Sequence, residues 1–386
     1  TYMKHKRFFP RLTSLLCTLA MSLSLVPAVS AASQPEPLIS TNRYGYYNGN
    51  WAVPRSSYLY QDGQDLVRVE YRKGSQLVNG QTGQFLEWLT PTTLVVETYD
   101  SRFQLKETRE LEVELPIWGG FFAGEDYNFV VFGQENPSES DSAEVVRVVK
   151  YSKSWERLDQ ASLRGANTTI PFDAGGFTCA EDGGLLYIRT SHEMYTSSDG
   201  LNHQASLSFT VRQEDMTISD AASAVSNPAT GYVSHSFNQL MLVDQEGRLV
   251  ALDHGDAYPR GASLYRCDGQ SGRRGTQLLV ASWPGSIGAN VTGAQVTGLA
   301  ETSTGYLTAY SYTGKGASSN LTADVKNIYL AYTSKDDFSQ SGTRTRQITS
   351  YANGGNIYGS QPVLVPTSLE DGYTIWSMTE KAVPVL

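Results

Sequence analysis

The stretch SHSFNQLMLVDQEGRLVALDHGDAYPR, residues 234–260, sets His235 and His254 beside Asp253, Asp256 and Arg260. A second stretch, SHEMYTSSDGLNHQ at 191–204, holds His192 and His203 with Glu193, Tyr195 and Asp199. These four are all the histidines left once a predicted leader is removed. Imidazole titrates nearest to neutral pH, so histidine grouped with carboxylates supports three chemistries: proton transfer, nucleophilic transfer and metal ligation. For a divalent metal, the spacings of His254 with Asp256 and of His192 with Glu193 match no standard ligand motif, and the possibility stays open. Neither Cys179 nor Cys267 has a second cysteine close by, which removes support for a zinc-thiolate site. One disulfide between them is open, since spacing cannot show that they meet.

Positioning these groups requires a scaffold, and the chain supplies a repeat. A short strand, an acidic or glycine turn and a second strand recur as SSYLYQDGQDLVRVEY, GGFFAGEDYNFVVFG, GGFTCAEDGGLLYIRTS, SHSFNQLMLVDQEGRLVALDH, GAQVTGLAETSTGYLTAYS and SQPVLVPTSLEDGYTIWSM. Gly184, Gly247, Gly305 and Gly372, which open the later second strands, stand 63, 58 and 67 residues apart. Two more strand-like segments follow each of the first five pairs. Four antiparallel strands per unit predict an all-β fold, a β-propeller of four-stranded blades, against the alternative of a β-sandwich. Gly119, Gly120, Gly175, Gly176 and Gly293 fit inner strands crowded near an axis. The sixth unit stops after its second strand, so six or seven blades are expected in a longer protein, with the last one truncated here.

In a propeller the loops entering each inner strand and those joining the second and third strands share a face. His235 is expected to open the inner strand of the fourth unit, with His254 just after its second strand. His192 is expected after the second strand of the third unit, and His203 at the start of its third. All four then fall on one face with Asp173, Glu193, Tyr195, Asp199, Asn238, Asp253, Asp256 and Arg260. A concave mouth lined by convergent polar groups predicts a ligand site there, with His235 and His254 as candidate catalytic residues. Taken singly, each residue has a plainer role: Asp and His in such loops cap strands and hold neighbouring blades in register.

The string His235, Asn238, His254 resembles the funnel histidines of bacterial arylsulfotransferase propellers, which would make one histidine a nucleophile. TSSDGLNH and TSKDDFSQSG resemble degenerate forms of the Ser-x-Asp-x-Gly-x-Thr-Trp turn of sialidase-like propellers, a structural element there; both lack the Trp. No carboxylate pair for a glycosidase can be assigned from spacing. No Gly-x-Ser-x-Gly or His-Glu-x-x-His motif is present. PFDAGG, TSHEMYTSSDGLNHQ, GYVSHSFNQ, DHGDAYPR and TGAQVTGL together resemble a family of secreted bacterial β-propeller proteins. That resemblance covers most of the chain after its leader. It implies export, the propeller fold and the importance of the histidine face, and implies no particular reaction.

Residues Met3 to Ala31 combine Lys4, Lys6, Arg7 and Arg11 with an apolar run and a small-residue end, which predicts a secretory signal peptide at 1–31. The expected division is then an N-terminal segment at 32–55 and a propeller at 56–386. Losing four basic residues and no acidic one takes the formal charge from −9 to −13. With basic residues scattered over an acidic chain, nucleic acid is not an expected partner. No later apolar run is long enough for a membrane span. The expected protein is secreted and binds a cell-surface or host glycan on its histidine face. The alternatives are an enzyme working through a funnel histidine, and a surface scaffold without a small ligand.

Overall fold

The computed structural model describes residues 53–78, 85–88, 90–223, 231–267, 274–314, 325–352 and 357–381. The predicted leader and nearly all of the 32–55 segment lie outside them. The described residues form an all-β fold without a helix, and thus contain no helix long and apolar enough to cross a membrane.

Five antiparallel sheets of four sequential strands follow one another, and a two-stranded sheet ends the series. Sheet I comprises Ser57–Asp62, Asp65–Arg72, Thr93–Tyr99 and Leu105–Leu111; a short hairpin, Gln76–Val78 with Phe85–Trp88, interrupts it. Sheet II comprises Ile117–Ala123, Asn128–Gly133, Glu144–Tyr151 and Arg157–Arg164. Sheet III comprises Phe177–Asp182, Leu185–Thr196, Asn202–Arg212 and Thr217–Ala222, with the two-residue strand Ile170–Pro171 added against its second strand. Sheet IV comprises Ser236–Val243, Leu249–Asp256, Arg260–Cys267 and Gly275–Ser282. Sheet V comprises Ala294–Glu301, Gly305–Tyr312, Asn327–Ser334 and Thr343–Gln347, and sheet VI pairs Ile357–Pro366 with Tyr373–Lys381. All six expected hairpins are therefore present. Among the described residues no strand pairing joins sheet VI to sheet I.

Side-chain alternation explains the layering. In the fully buried second strand of sheet II, NFVVFG, Phe129 and Val131 join a core shared with sheet III, while Val130 and Phe132 join one shared with sheet I. Both faces of this strand are covered, so it is apolar at every step instead of at alternate ones. Each fully buried Val or Phe contributes roughly 1.5–3 kcal/mol. Further apolar clusters lie between sheets III and IV and between sheets IV and V.

Local turn chemistry fixes the hairpins. Asp182 pairs with Leu185 across Gly183 and Gly184, whose φ values of 55° and 78° give the two-residue turn that glycine favours. Close approach accounts for the inner-strand glycines. A Cβ on Gly120 would stand 2.3 Å from the ring of Phe177, on the first strand of the next sheet.

Two expectations change in detail. His192 and His254 lie within the second strands of sheets III and IV, not after them, because both strands run on further than their apolar cores. Cys179 and Cys267 are free buried thiols on different sheets, so they do not form the disulfide left open above.

Candidate functional site

The predicted residues divide among three junctions between sheets, and most are engaged in holding those junctions together. At the junction of sheets II and III, His192 is fully buried and its Nδ1 is hydrogen-bonded to Thr168 Oγ1 at 2.7 Å. Burial pulls its pKa down to about 3, so the ring is neutral. Thr169 Oγ1 donates to Glu193 Oε1 at 2.9 Å. Asn136 Nδ2 donates to the Tyr195 hydroxyl, which donates to Asp141 Oδ1. His203 and Asp199 form a partly exposed pair of their own at 2.8 Å, away from the buried imidazoles.

Between sheets III and IV, Asp253 is buried against Arg189, which donates from Nε to Oδ1 at 2.8 Å and from Nη2 to Oδ2 at 2.7 Å. Ser236 Oγ also donates to Asp253 Oδ2, at 3.0 Å. Asn238 Nδ2 bridges to Val296 O on the first strand of sheet V.

Successive residues on a strand face opposite ways, so His254 turns from Asp253's side toward sheet V. Its Nε2 is hydrogen-bonded to Thr292 Oγ1 at 2.8 Å, and its ring lies edge-on to Phe237 and Trp283. Burial, with Arg260 adding repulsion, brings its pKa to about 3. A neutral, enclosed and hydrogen-bonded imidazole cannot reach a substrate as nucleophile or base, which leaves His235 of the two catalytic candidates.

His235 precedes the first strand of sheet IV with a left-handed φ of 51°, its backbone N donating to Gln204 O at 2.8 Å. Its side chain is 22% exposed, and Nδ1 lies 3.1 Å from Oδ1 of Asp256, which is wholly buried. The angle does not make a hydrogen bond, and both Asp256 oxygens are buried without one. Asp256 sits opposite Arg260 in register. Arg260 donates to the carbonyls of Asp256, Ala289 and Val291 at 2.9, 2.7 and 3.0 Å, tying down the loop that leads to sheet V. Burial lowers its pKa, with Asp256 opposing that shift.

Around His235 the same rim gathers residues that the sequence did not single out. Gln204 Nε2 donates to Asp173 Oδ2 at 2.7 Å, linking Asp173 to the strand that receives His235. Ser234 N donates to Tyr258 O at 3.1 Å, and Tyr258 is 64% exposed. Ile287, also exposed, precedes Gly288, whose N donates to Asp256 O. Tyr258 stands inside DHGDAYPR, so its aromatic character was the available signal; Gln204 had none beyond its place beside His203.

No grouping of three histidine, cysteine or acidic ligands occurs on this rim among the described residues. The group that does occur, Asp244, Glu246 and Glu301, lies at the other end of sheet IV. Its charges are met by Arg248 at 2.7 Å from Asp244 and by Lys335 at 2.8 Å from Glu246 and 2.5 Å from Glu301. A cluster already neutralised by two cations is a bracing network between sheets IV and V.

No family model matches the chain, and no curated protein matches it. Solved structures with a similar course include a mutant of the GH43 protein BlXynB from Bacillus licheniformis, at 11% identity and a TM-score of 0.34, covering 84% of this chain and 48% of that one. A Synechocystis apocarotenoid oxygenase mutant gives 10% identity and 0.41, covering 86% and 65%. Cellvibrio cellulosa alpha-L-arabinanase gives 10% identity and 0.33, covering 67% and 89%. This chain thus spans about half of the first and about two thirds of the second. Likeness at this level assigns neither a reaction nor a ligand to the present chain.

Proposed function

We propose that the protein is a secreted β-propeller that binds a glycan on the rim around His235. The observation that carries this reading is the convergence of an exposed aromatic, Tyr258, with His235, Asp173 and Gln204 on one rim. Sugars offer apolar C–H faces that lie against aromatic rings and hydroxyls that exchange hydrogen bonds with carboxylate, amide and imidazole groups. The export expectation supports a cell-surface or host glycan, and the inner strands disposed around a common cavity support the propeller. A glycan-array screen of residues 32–386 tests the reading. Selective retention that is lost in Tyr258→Ala and His235→Ala supports it, and a blank array from folded protein refutes it.

A second reading is favoured by Asp256 behind His235 Nδ1, which is where a carboxylate would orient and charge-stabilise a catalytic imidazole. In that case Nε2 acts as base or nucleophile toward a bound donor. Release of product from chromogenic aryl sulfates or glycosides, abolished by His235→Ala, would establish it; product formation that survives the substitution would exclude it.

A further inference from the structure

Apart from the rim, a cavity of about 250 Å³ lies among the first strands of sheets I to V. Its walls are largely aromatic, from Tyr58, Tyr60, Phe121, Phe122 and Phe177, with Leu240 completing them. Tyr58 and Tyr60 contact Phe121 at ring separations of 5.5 and 5.6 Å. Cys179 also lines the cavity, and burial pushes its thiol well up, so it behaves as a neutral small hydrophobe. Asn238 is the predicted site residue that faces this cavity instead of the rim.

One polar feature on the wall is dictated by a chain of donors and acceptors. Asp253, held as a carboxylate by Arg189, can only accept, so the Ser236 hydroxyl must donate to it. The lone pairs left on Ser236 Oγ then receive Gln239 Nε2 at 2.7 Å, and Ser236 O receives the same amide at 2.9 Å. Both amide hydrogens are used, and the orientation of the amide is fixed. Gln239 Oε1 therefore remains as an acceptor on a residue 2% exposed, buried with no hydrogen-bond partner. Leaving such a group unmatched costs about 1–3 kcal/mol, which a ligand donor would recover.

We infer that this cavity binds a small neutral aromatic molecule carrying one hydrogen-bond donor, of the phenol or indole class, with the donor on Gln239 Oε1 and the ring among the aromatic walls. Size agrees: an apolar cavity of about 150 Å³ accommodates benzene, and drug-sized pockets begin at about 300 Å³. A charged ligand would have to leave water for walls that are mainly rings, without a buried counter-charge at Gln239.

The test uses residues 32–386 with 4-fluorophenol and fluorobenzene as probes, followed by fluorine NMR titration. The phenol is expected to bind about tenfold more tightly than fluorobenzene, the ratio that one matched buried acceptor supplies. Gln239→Met should bring the phenol down to the level of fluorobenzene, and Thr178→Trp, on the neighbouring strand, should exclude both by filling the cavity. Melting curves establish that each variant is folded, and the comparison of the two probes on the unaltered chain stands without either variant. Equal affinities, no effect of either probe, or phenol binding that survives Thr178→Trp would overturn the inference. Neither substitution touches Tyr258 or His235, so loss of glycan binding and loss of phenol binding are separable.

Discussion

His235 Nδ1 stands 3.1 Å from Oδ1 of Asp256, a carboxylate with no exposed surface and no hydrogen bond to either oxygen. The imidazole is held there by a backbone in the left-handed region, with φ at 51°. A non-glycine residue in that region carries strain of about 1 kcal/mol or more, and strain of this kind gathers where a side chain has a task. His235→Gly removes the ring and the strain together, while Arg260 stays as the charged neighbour of Asp256. Chemical denaturation should then show stability unchanged or raised by up to about 1 kcal/mol, while affinity for any array-retained glycan falls by at least about tenfold. A large loss of stability would make His235 a brace and support the scaffold reading.

A pH dependence follows from the two enclosed imidazoles. His192 and His254 are both drawn down to about 3 by burial, against an ordinary value near 6.5. Their folded pKa lies below the unfolded one, so the unfolded chain takes up protons first. The stability contributed by keeping them neutral is complete above about pH 6.5 and is lost as pH falls toward 3. Each histidine should steepen the loss by up to about 1.4 kcal/mol per pH unit in that window. His254→Gln retains a hydrogen-bonding partner for Thr292 and cannot titrate. Denaturation midpoints between pH 7 and 4 should therefore fall less steeply in this variant; an unchanged slope would mean that His254 does not titrate with unfolding.

The six hairpins were legible because each joins two runs of apolar residues across an acidic or glycine turn, and these are local signals. The face on which the histidines fall was also legible, since strand order alone decides it. The side chain's partner was not. Asp253 and His254 are adjacent in sequence, yet one meets Arg189 of sheet III and the other meets Thr292 before sheet V. Alternation along the strand shows that they part company, whereas Arg189 and Thr292 lie 64 and 38 residues away and are of common types. The expected single cluster thus resolved into three junctions for want of long-range information. The cavity at Gln239 was invisible for the same reason, because an unmatched acceptor exists only once Ser236, Asp253 and Arg189 are brought together.

Close packing of the inner strands makes a sharper prediction at Gly175. A Cβ there would stand 1.9 Å from Ser191 Oγ and 2.9 Å from Ser236 O, the latter on the first strand of sheet IV. The serine hydroxyl can turn, but the backbone carbonyl cannot. Gly175→Ala should cost about 1–3 kcal/mol by overpacking. Gly247→Ala meets open space at its site and should cost only the strain of φ at 74°. Comparing the two by thermal melting separates crowding from backbone conformation; equal losses would refute the close approach.

The pair of Arg189 and Asp253 fixes sheet III to sheet IV, with side chains 5% and 1% exposed. Two parallel hydrogen bonds and the Ser236 hydroxyl compensate the carboxylate for leaving water, and Gly231 O and Ser208 Oγ receive the remaining guanidinium hydrogens. Removing one partner strands the other as a buried charge, so Arg189→Met should cost about 3–5 kcal/mol. Removing both charges together leaves nothing stranded. The double variant Arg189→Met, Asp253→Leu should therefore be more stable than Arg189→Met alone, and the cycle should give a coupling of about 1–3 kcal/mol. The same double variant releases Ser236 from its obligation to donate to Asp253, and with it the fixed orientation of Gln239. Preference for 4-fluorophenol over fluorobenzene should then diminish even in folded protein, since the amide can turn. Additive single and double effects, with that preference unchanged, would show that Asp253 neither locks the sheets nor orients the cavity wall.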